Sequence, residues 1–271
     1  MQAQPSKTYP PTFATLPEQP LQTVDAVCGS HGPYTAKVLD MTELGGSKII
    51  MKCPQCSAEQ QAAADARKAE EAARERLGQV VRLFHRAGIP PRFSDRSFDG
   101  YVATQQGQKI ALGVCRAYAE KWTDKRKVGA SLVLTGAPGT GKTHLACAIA
   151  STVMEAHLSS ALFITVSSML RSIKETYRKG SERSEQEAID AFGKPDLLIL
   201  DEVGVQVGSD HEKLLMFEVL NERYQSMLPT ILISNLSLDE LEEFLGHRVM
   251  DRYRECGSVL AFDWQSHRGQ R

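Results

Sequence analysis

Short apolar runs alternate with longer amphipathic stretches over the second half of the chain. Each run is too short for a buried helix and predicts a strand. The runs are Leu132–Thr135, Ala161–Val166, Leu197–Leu200 and Thr230–Ser234. The amphipathic stretches predict helices that start near Lys142, Ser168, His211 and Leu238. Because strands that alternate with helices are typical of a parallel sheet covered on both faces, the pattern predicts an α/β domain.

The composition changes three times along the chain and divides it into four segments. Residues 1–27 hold five prolines among polar side chains, which predicts a disordered tail. Residues 28–56 are expected to form a small module, and residues 57–88, rich in Ala, Glu and Arg, an exposed linker helix. Residues 89–271 are assigned to the α/β domain.

Two of these segments have a finer pattern. In the small module, the β-like runs Tyr34–Leu39 and Lys48–Met51 flank Gly45-Gly46 and predict a hairpin. In the α/β domain, Gly107–Trp122 has helical periodicity and predicts an amphipathic helix ahead of the first strand.

Charge and hydropathy exclude several classes of protein. With 42% hydrophobic and 24% charged residues the chain is globular rather than fibrous or disordered. The formal net charge of −1 provides no global attraction to nucleic acid, so any such contact requires a local patch. No apolar run approaches the roughly 20 residues that span a bilayer, and no secretory signal is present, so we expect a cytoplasmic protein without membrane contact.

A glycine-rich loop lies between the first predicted strand of the domain and the helix that follows it. Its sequence matches the phosphate-binding loop, whose N–H groups surround the phosphates of a nucleotide. Lys142 is expected to contact the β- and γ-phosphates of ATP, and the Thr143 hydroxyl to bind Mg²⁺. The expected nucleotide contacts are Gly136, Ala137, Pro138, Gly139, Thr140, Gly141, Lys142, Thr143 and His144.

The third predicted strand of the domain ends in two adjacent carboxylates. We expect Asp201 to bind Mg²⁺ and Glu202 to act as general base on the attacking water. A kinase has no need for such a base, because its nucleophile is a substrate hydroxyl, so the pair favours hydrolysis. The next strand ends at Asn235, whose amide is expected to position the water or sense the γ-phosphate, although Asn at a strand end is also a common turn residue.

Two pairs of metal-binding side chains lie in the small module. Cys28-x-x-His31 and Cys53-x-x-Cys56 have the spacing that tetrahedral zinc requires, and four protein ligands indicate a structural site. One alternative is three ordinary thiols with a surface histidine. The other is a redox-active Cys-x-x-Cys, but such a motif occurs in a thioredoxin-like fold, which the sequence pattern does not predict here. The other three cysteines are scattered and are expected to be small buried hydrophobes.

These motifs together resemble the AAA+ ATPases, and among them the bacterial and phage helicase loaders of the DnaC type. Gly136–Thr143 is similar to Walker A, Leu197–Glu202 to Walker B and Asn235 to sensor 1. The resemblance extends from about Leu77 to the C-terminus. It includes Phe98–Tyr101, the stretch Ile164–Arg178 and Asp201–Gln206, and it ends with Gly246–Arg252 and Phe262–Arg268, two blocks that are more specific than a Walker pair.

The resemblance implies roles for two arginines and an oligomeric state. Arg252 resembles the arginine finger that reaches the γ-phosphate held by a neighbouring subunit, with Arg248 as its rival, and Arg268 resembles sensor 2. A solvated helix face is the other interpretation of the arginines on this helix. Phe262 and Trp264 are expected in the core. Because few residues follow Arg268, we expect neither a helical lid nor a DNA-binding helix-turn-helix.

The predicted helix Ser168–Lys179 resembles the insertion that lines a path for single-stranded DNA in loaders and initiators. Its cations can bind phosphates and its aromatic ring can stack on a base. An amphipathic helix with solvated lysines is the alternative. The candidate DNA contacts are Arg171, Lys174, Tyr177, Arg178 and Lys179.

The resemblance predicts a slow, DNA-stimulated replication ATPase that places a hexameric replicative helicase on single-stranded DNA. Residues 1–56 resemble no part of the best-known DnaC loaders, so the identity of the partner stays open, and the module could instead contact DNA or an initiator protein. A transposition helper ATPase and a nucleotide-switched adaptor with negligible turnover are the alternative functions.

Overall fold

The computed structural model describes residues 22–42, 46–205 and 209–267, which form two compact units that meet at Arg74 and Glu75 in the chain. The described strands are β1 Gln22–Cys28, β2 Gly32–Asp40, β3 Lys48–Ile50, β4 Ser131–Gly136, β5 Ala161–Thr165, β6 Leu197–Val203, β7 Thr230–Ser234 and β8 Gly257–Phe262. The described α-helices are α1 Pro54–Arg86, α2 Gln106–Glu120, α3 Trp122–Lys127, α4 Lys142–His157, α5 Val166–Lys174, α6 Glu185–Asp190, α7 Asp210–Gln225, α8 Leu238–Leu245 and α9 His247–Cys256.

The N-terminal unit is built on an antiparallel sheet of order β1-β2-β3. The expected hairpin is present, but β1 pairs with β2 from Gln22 onward, inside the range assigned to the disordered tail. The last of the five prolines is Pro20, and every residue of β1 after it has a partner in β2, where the β-branched Thr23, Val24 and Val27 suit a strand. The tail predicted for residues 1–21 lies outside the described residues, as does Gly45 of the expected turn.

Helix α1 runs for 33 residues and begins at Pro54, three residues before the expected linker helix. Proline is well tolerated in the first turn of a helix because the N–H it lacks has no intrahelical partner there. The earlier start places Cys56 on the helix. The helix ends at Arg86, ahead of Gly88, which has a φ of +64°, and of the Pro90-Pro91 pair.

The second unit contains a fully parallel sheet of order β5-β6-β7-β4-β8, with apolar clusters on both faces. The four strands expected from the apolar runs are confirmed. Strand β8 was not predicted: its run Val259–Phe262 is apolar but mostly only half-buried, and its place is fixed by pairing with β4. The expected helix Gly107–Trp122 is interrupted at Lys121, where α2 ends and α3 begins. None of the helices in the described ranges is long and apolar enough to cross a membrane.

Arg223 of α7 ties together the starts of β6 and β7. Its guanidinium is fully buried and donates hydrogen bonds to the carbonyl oxygens of Phe192, Pro195 and Pro229 at 2.7–3.0 Å. Its Nε also donates to the Thr230 hydroxyl at 2.9 Å. Burial lowers the pKa of Arg223 to about 10, so the group stays charged at neutral pH. This anchor fixes the two strands whose other ends carry Glu202 and Asn235.

Candidate functional site

The glycine-rich loop joins the end of β4 to the start of α4, as the motif requires. Two of its glycines cannot be replaced by larger residues. Gly136 has a φ of +120°, and a Cβ there would lie 2.4 Å from the Phe262 carbonyl oxygen. Gly141 has a φ of +99°, and a Cβ there would lie 2.5 Å from the Tyr101 ring. The loop is therefore enclosed by segments that lie far away in the sequence.

Lys142 lies inside the loop. Its side chain is buried, with 4% exposed, and its ammonium donates to the carbonyl oxygens of Gly136 at 2.6 Å and Ala137 at 2.7 Å. In P-loop proteins, the lysine at this position contacts the phosphates of the nucleotide. The Thr143 hydroxyl donates to Oδ2 of Asp201 at 3.1 Å. The structure therefore brings together the three side chains expected to bind the phosphates and Mg²⁺.

Asp201 and Glu202 lie at the carboxyl end of β6 in different environments. Burial raises the pKa of Asp201, while the Glu202 N–H donates to its Oδ1 at 2.8 Å and favours the ionised form. Glu202 is exposed and has a φ of +62°, a left-handed conformation that is uncommon for glutamate. Such strain occurs preferentially at functional sites.

Asn235 follows β7, which lies between β6 and β4 in the sheet. The next residue, Leu236, accepts hydrogen bonds through its carbonyl oxygen from the Gly136 N–H at 3.2 Å and from the Thr135 hydroxyl. These bonds attach the chain after Asn235 to the base of the glycine-rich loop. The sheet order thus brings an exposed amide to the same edge as the loop and the two carboxylates.

The structure adds Tyr101 and Trp264, which were not among the predicted site residues. Both donate to the carbonyl oxygen of Thr140, Tyr101 through its hydroxyl at 3.2 Å and Trp264 through Nε1 at 2.9 Å. Phe262 and Trp264 are buried, as expected, so Trp264 serves the core and the loop together. The only sequence signal for either residue was its place in a block shared with the DnaC-type loaders.

His144, the last of the expected nucleotide contacts, bridges the loop helix to the segment before Tyr101. Its Nε2 lies 2.8 Å from the Ser97 carbonyl oxygen, and its ring meets the Tyr101 ring edge-on at 5.4 Å between centroids. Burial lowers the pKa of His144. Because a carbonyl oxygen only accepts hydrogen bonds, Nε2 is the donor to Ser97.

The candidate finger arginines lie on α9. Arg252 is half-buried, donates to Oδ1 of Asn221 and stacks its guanidinium 4.9 Å from the Tyr224 ring centroid. Arg248 is exposed, and Arg254 pairs with Glu242 at 2.6 Å. Both candidates thus remain, with Arg252 held against α7. The sensor 2 candidate Arg268 lies outside the described residues, although the N–H of the preceding His267 donates to the Gly139 carbonyl oxygen at 3.0 Å.

The helix expected to contact DNA is shorter than predicted. Helix α5 ends at Lys174, and Glu175–Tyr177 forms one 3₁₀ turn before Arg178, which is extended. The chain leaves the helix here because Gly180, with a φ of +89°, follows within a polar stretch that has no apolar side chain to bury. The five candidate DNA contacts therefore lie on a helix end and the loop after it.

Two of these five candidates are engaged by acidic side chains. Lys174 forms an ion pair with Glu212, which lowers the pKa of that carboxyl. The Tyr177 hydroxyl donates to Glu185, whose carboxylate raises the pKa of Tyr177 to about 12, and lies 2.9 Å from Nε2 of His211. The other three candidates are exposed, and their side chains have no hydrogen-bond or ion-pair partner within residues 22–42, 46–205 and 209–267: Arg171, Arg178 and Lys179.

The four expected metal ligands meet in the N-terminal unit. Their ligand atoms, three sulfurs and one imidazole nitrogen, all lie within 4.8 Å of one another. Nδ1 of His31 lies 3.3–3.8 Å from the three sulfurs of Cys28, Cys53 and Cys56. Tetrahedral zinc with Zn–S bonds of about 2.3 Å has ligand separations near 3.8 Å. The donor set and its spacing therefore fit zinc.

The other nitrogen of His31 has a partner that fixes the ring. Nε2 lies 3.1 Å from Oε1 of Glu59, on the first turns of α1. A carboxylate on the outer nitrogen keeps the proton there and leaves Nδ1 free to bind metal. The residue that orients the ligand was not predicted, because its contact depends on where α1 begins.

The sheet, the glycine-rich loop and the carboxylates at its edge define a P-loop nucleotide-binding protein. A sequence model of the IstB-like ATP-binding proteins matches residues 66–259. The chain is 36% identical over 196 residues to the replicative helicase loader DnaC of Escherichia coli K12, an alignment that covers 72% of this chain and 78% of that protein. The chain belongs to the IstB/DnaC family of AAA+ ATPases, and the resemblance drawn from its motifs is confirmed.

Further relatives and solved structures agree with this assignment. The DnaC of Buchnera aphidicola from Acyrthosiphon pisum is 35% identical over 190 residues, which cover 70% of this chain and 76% of that protein. The crystal structure of the DnaC helicase loader superposes with a TM-score of 0.58 at 24% identity, over 64% of this chain and 99% of that one. DnaI superposes with a TM-score of 0.54 at 22% identity, over 66% and 93%. These structures establish the AAA+ fold.

Proposed function

We propose that this protein is a DNA replication ATPase that binds a hexameric replicative helicase and helps to place it on single-stranded DNA. The observation that carries the proposal is the similarity to DnaC loaders over most of the ATPase unit, and the cluster of Lys142, Thr143 and Asp201 at the glycine-rich loop supports it. Bound ATP favours the assembled, DNA-holding state and hydrolysis releases it, because the two nucleotide states differ in affinity for partner and DNA. Such a loader works in the cytoplasm.

The nucleotide site assigns one role to each side chain. The loop N–H groups and Lys142 bind the phosphates, and Thr143 with Asp201 would hold Mg²⁺, which neutralises phosphate charge when bound. Glu202 takes a proton from the attacking water, and Asn235 orients that water. Support comes from the Thr143–Asp201 hydrogen bond and from the position of Asn235 between loop and carboxylates.

Self-association would complete this site. An arginine of α9, Arg252 or its rival Arg248, acts on the nucleotide of a neighbouring subunit, and Arg268 acts on its own. A guanidinium supplied across an interface stabilises transition-state charge and couples hydrolysis to assembly. Arg248 is exposed and Arg252 is only half-buried, and this accessibility supports the proposal.

Zinc would be held by Cys28, His31, Cys53 and Cys56, and its role is structural because four protein ligands leave no open position. We assign residues 28–56, together with β1, to this module and propose that it contacts the helicase. Residues 57–88 link it to the ATPase domain at 89–271.

Single-stranded DNA would bind along the end of α5 and the loop that follows, and would stimulate a slow ATPase. The exposed cations Arg171, Arg178 and Lys179 support this assignment. Glu212 competes with DNA phosphate for Lys174, because an ion pair must break before the ammonium can bind a phosphate.

We expect Glu212→Gln to strengthen single-stranded DNA binding by about three-fold or more and to steepen the slope of log affinity against log salt by roughly 0.7, since one more cation reaches phosphate. Glutamine keeps the bond to the Ser209 N–H that caps α7. The control is Glu240→Gln, because Glu240 caps α8 in the same way with Ser237. Fluorescence anisotropy at several salt concentrations measures both quantities, and equal slopes for both variants would contradict the assignment.

Native mass spectrometry of the protein with the host's replicative helicase, with and without ATP, tests the proposed function. A discrete complex that carries one zinc per protomer is expected. No complex in either state, with a helicase of demonstrated activity, would reject the loader function and point to a transposition helper that acts with a transposase.

A further inference from the structure

The glycine-rich loop is held from its outer side by two segments that flank the ATPase core in sequence. Tyr101 lies before α2 and Trp264 after β8, and both donate to the single carbonyl oxygen of Thr140. The Thr140 side chain is also fixed, since its hydroxyl donates to the Ala137 carbonyl oxygen at 2.8 Å. Thr140 is therefore held by three hydrogen bonds, two at its carbonyl oxygen and one at its hydroxyl.

The direction of the carbonyl groups determines the direction of the N–H groups. In a phosphate-binding loop the backbone N–H groups must converge on the anion, so the carbonyl groups must turn away from it. Beyond Thr140, the Gly139 carbonyl oxygen also points outward, to the His267 N–H at 3.0 Å. Because the peptide unit is planar, these bonds fix the directions of the Thr140 and Gly141 N–H groups together with the carbonyl groups of Gly139 and Thr140.

Close packing leaves little freedom for the two aromatic rings. The Tyr101 ring occupies the space where Gly141 would carry a side chain. The Trp264 ring, 6% exposed, packs on Phe262 with centroids 4.7 Å apart, and a Cβ on Gly107 would lie 3.2 Å from it. Both donors are therefore already in place before nucleotide arrives.

We propose that Tyr101 and Trp264 are positioning residues for ATP: they fix the Thr140 carbonyl and so preorganise the N–H groups of the loop. Neither side chain needs to touch the nucleotide. Trp264 belongs to the same C-terminal segment as His267, whose N–H donates to the Gly139 carbonyl oxygen. This segment therefore holds the loop at two neighbouring carbonyl groups.

Conservative variants separate this role from simple packing. Tyr101→Phe and Trp264→Phe each remove one donor and keep an aromatic ring. We expect each to weaken ATP binding about five-fold, the usual effect of one hydrogen bond. The double variant is expected to weaken ATP binding by more than about 25-fold, the product of the two single effects. Only in that variant does the Thr140 carbonyl oxygen lose both donors.

Matched controls exist in the same domain. Tyr118 donates to the Ala130 carbonyl oxygen at 2.7 Å and Trp122 to the Ser159 hydroxyl at 2.8 Å, both away from the loop. Tyr118→Phe and Trp122→Phe are expected to lower the melting temperature and to leave the ATP dissociation constant unchanged. Titration with a fluorescent ATP analogue and thermal unfolding without nucleotide measure the two quantities on every variant.

Tryptophan emission provides a second readout, because Trp122 and Trp264 are the two tryptophans of the chain. In Trp122→Phe, ATP is expected to change the emission of the remaining Trp264, and in Trp264→Phe it is not. The proposal would be overturned if Tyr101→Phe and Trp264→Phe kept the ATP affinity of the unmodified protein while their melting temperatures fell as in the controls. Both residues would then serve only in packing. A variant that fails to fold leaves the other member of the pair to decide.

Discussion

Glu202→Gln is expected to reduce ATP hydrolysis by about 100-fold or more and to leave ATP binding intact, the usual effect of removing a general base. The exposed Glu202 follows the buried Asp201 at the end of β6, and glutamine has a similar size but cannot take the proton. Steady-state phosphate release with and without single-stranded DNA measures the loss. Nucleotide titration checks that binding is retained.

The control for Glu202→Gln is Glu120→Gln, at the exposed end of α2 and outside the site. It should hydrolyse ATP at the rate of the unmodified protein. If Glu202→Gln also keeps that rate, with or without DNA, the general base lies elsewhere. If the rate of the unmodified protein is itself close to background, the protein is better described as an adaptor with negligible turnover.

Cys53→Ser is expected to abolish zinc binding and to unfold the three-stranded module, while the ATPase unit stays folded. The module is too small to fold without metal, and structural zinc contributes roughly 10 kcal/mol or more to such units. Cys53 is the buried member of the cluster, so its loss removes a ligand that solvent cannot replace. Zinc per protomer by atomic emission and proteolysis of the module measure the result.

Cys256→Ser is the matched control, since Cys256 is a free, half-buried cysteine outside the cluster. The Cys256→Ser variant should retain zinc, and its three-stranded module should resist proteolysis. Retained zinc in Cys53→Ser would remove that residue from the ligand set. Loss of helicase binding together with zinc, at unchanged ATP affinity, is expected if the module binds the partner.

The described structure corrects several of the sequence-based boundaries. Strands β1 and β8 depend on which segment lies alongside, and local composition does not report that, whereas α5 ends early for the local reason of Gly180 and the polar stretch around it. Gln22–Cys28 looks like a continuation of a polar tail until β2 pairs with it. Gly257–Phe262 becomes a strand because β4 offers an open edge.

Sequence patterns alone determined the α/β class, the alternation of four strands with helices in the ATPase unit, the glycine-rich loop, the paired carboxylates and the two pairs of metal ligands. These features are local: a periodicity, or a spacing within a few residues. The family followed from the blocks around them and is confirmed by the relatives.

Tertiary structure decided everything that joins distant segments. It brought Tyr101 and Trp264 to one carbonyl of the loop, paired Lys174 with Glu212, and set Glu59 behind His31. A hydrogen bond requires two atoms about 3 Å apart, and a sequence specifies that separation only through the fold. The chemistry of this protein was therefore encoded in short motifs, whereas the support that positions those motifs became visible only in three dimensions.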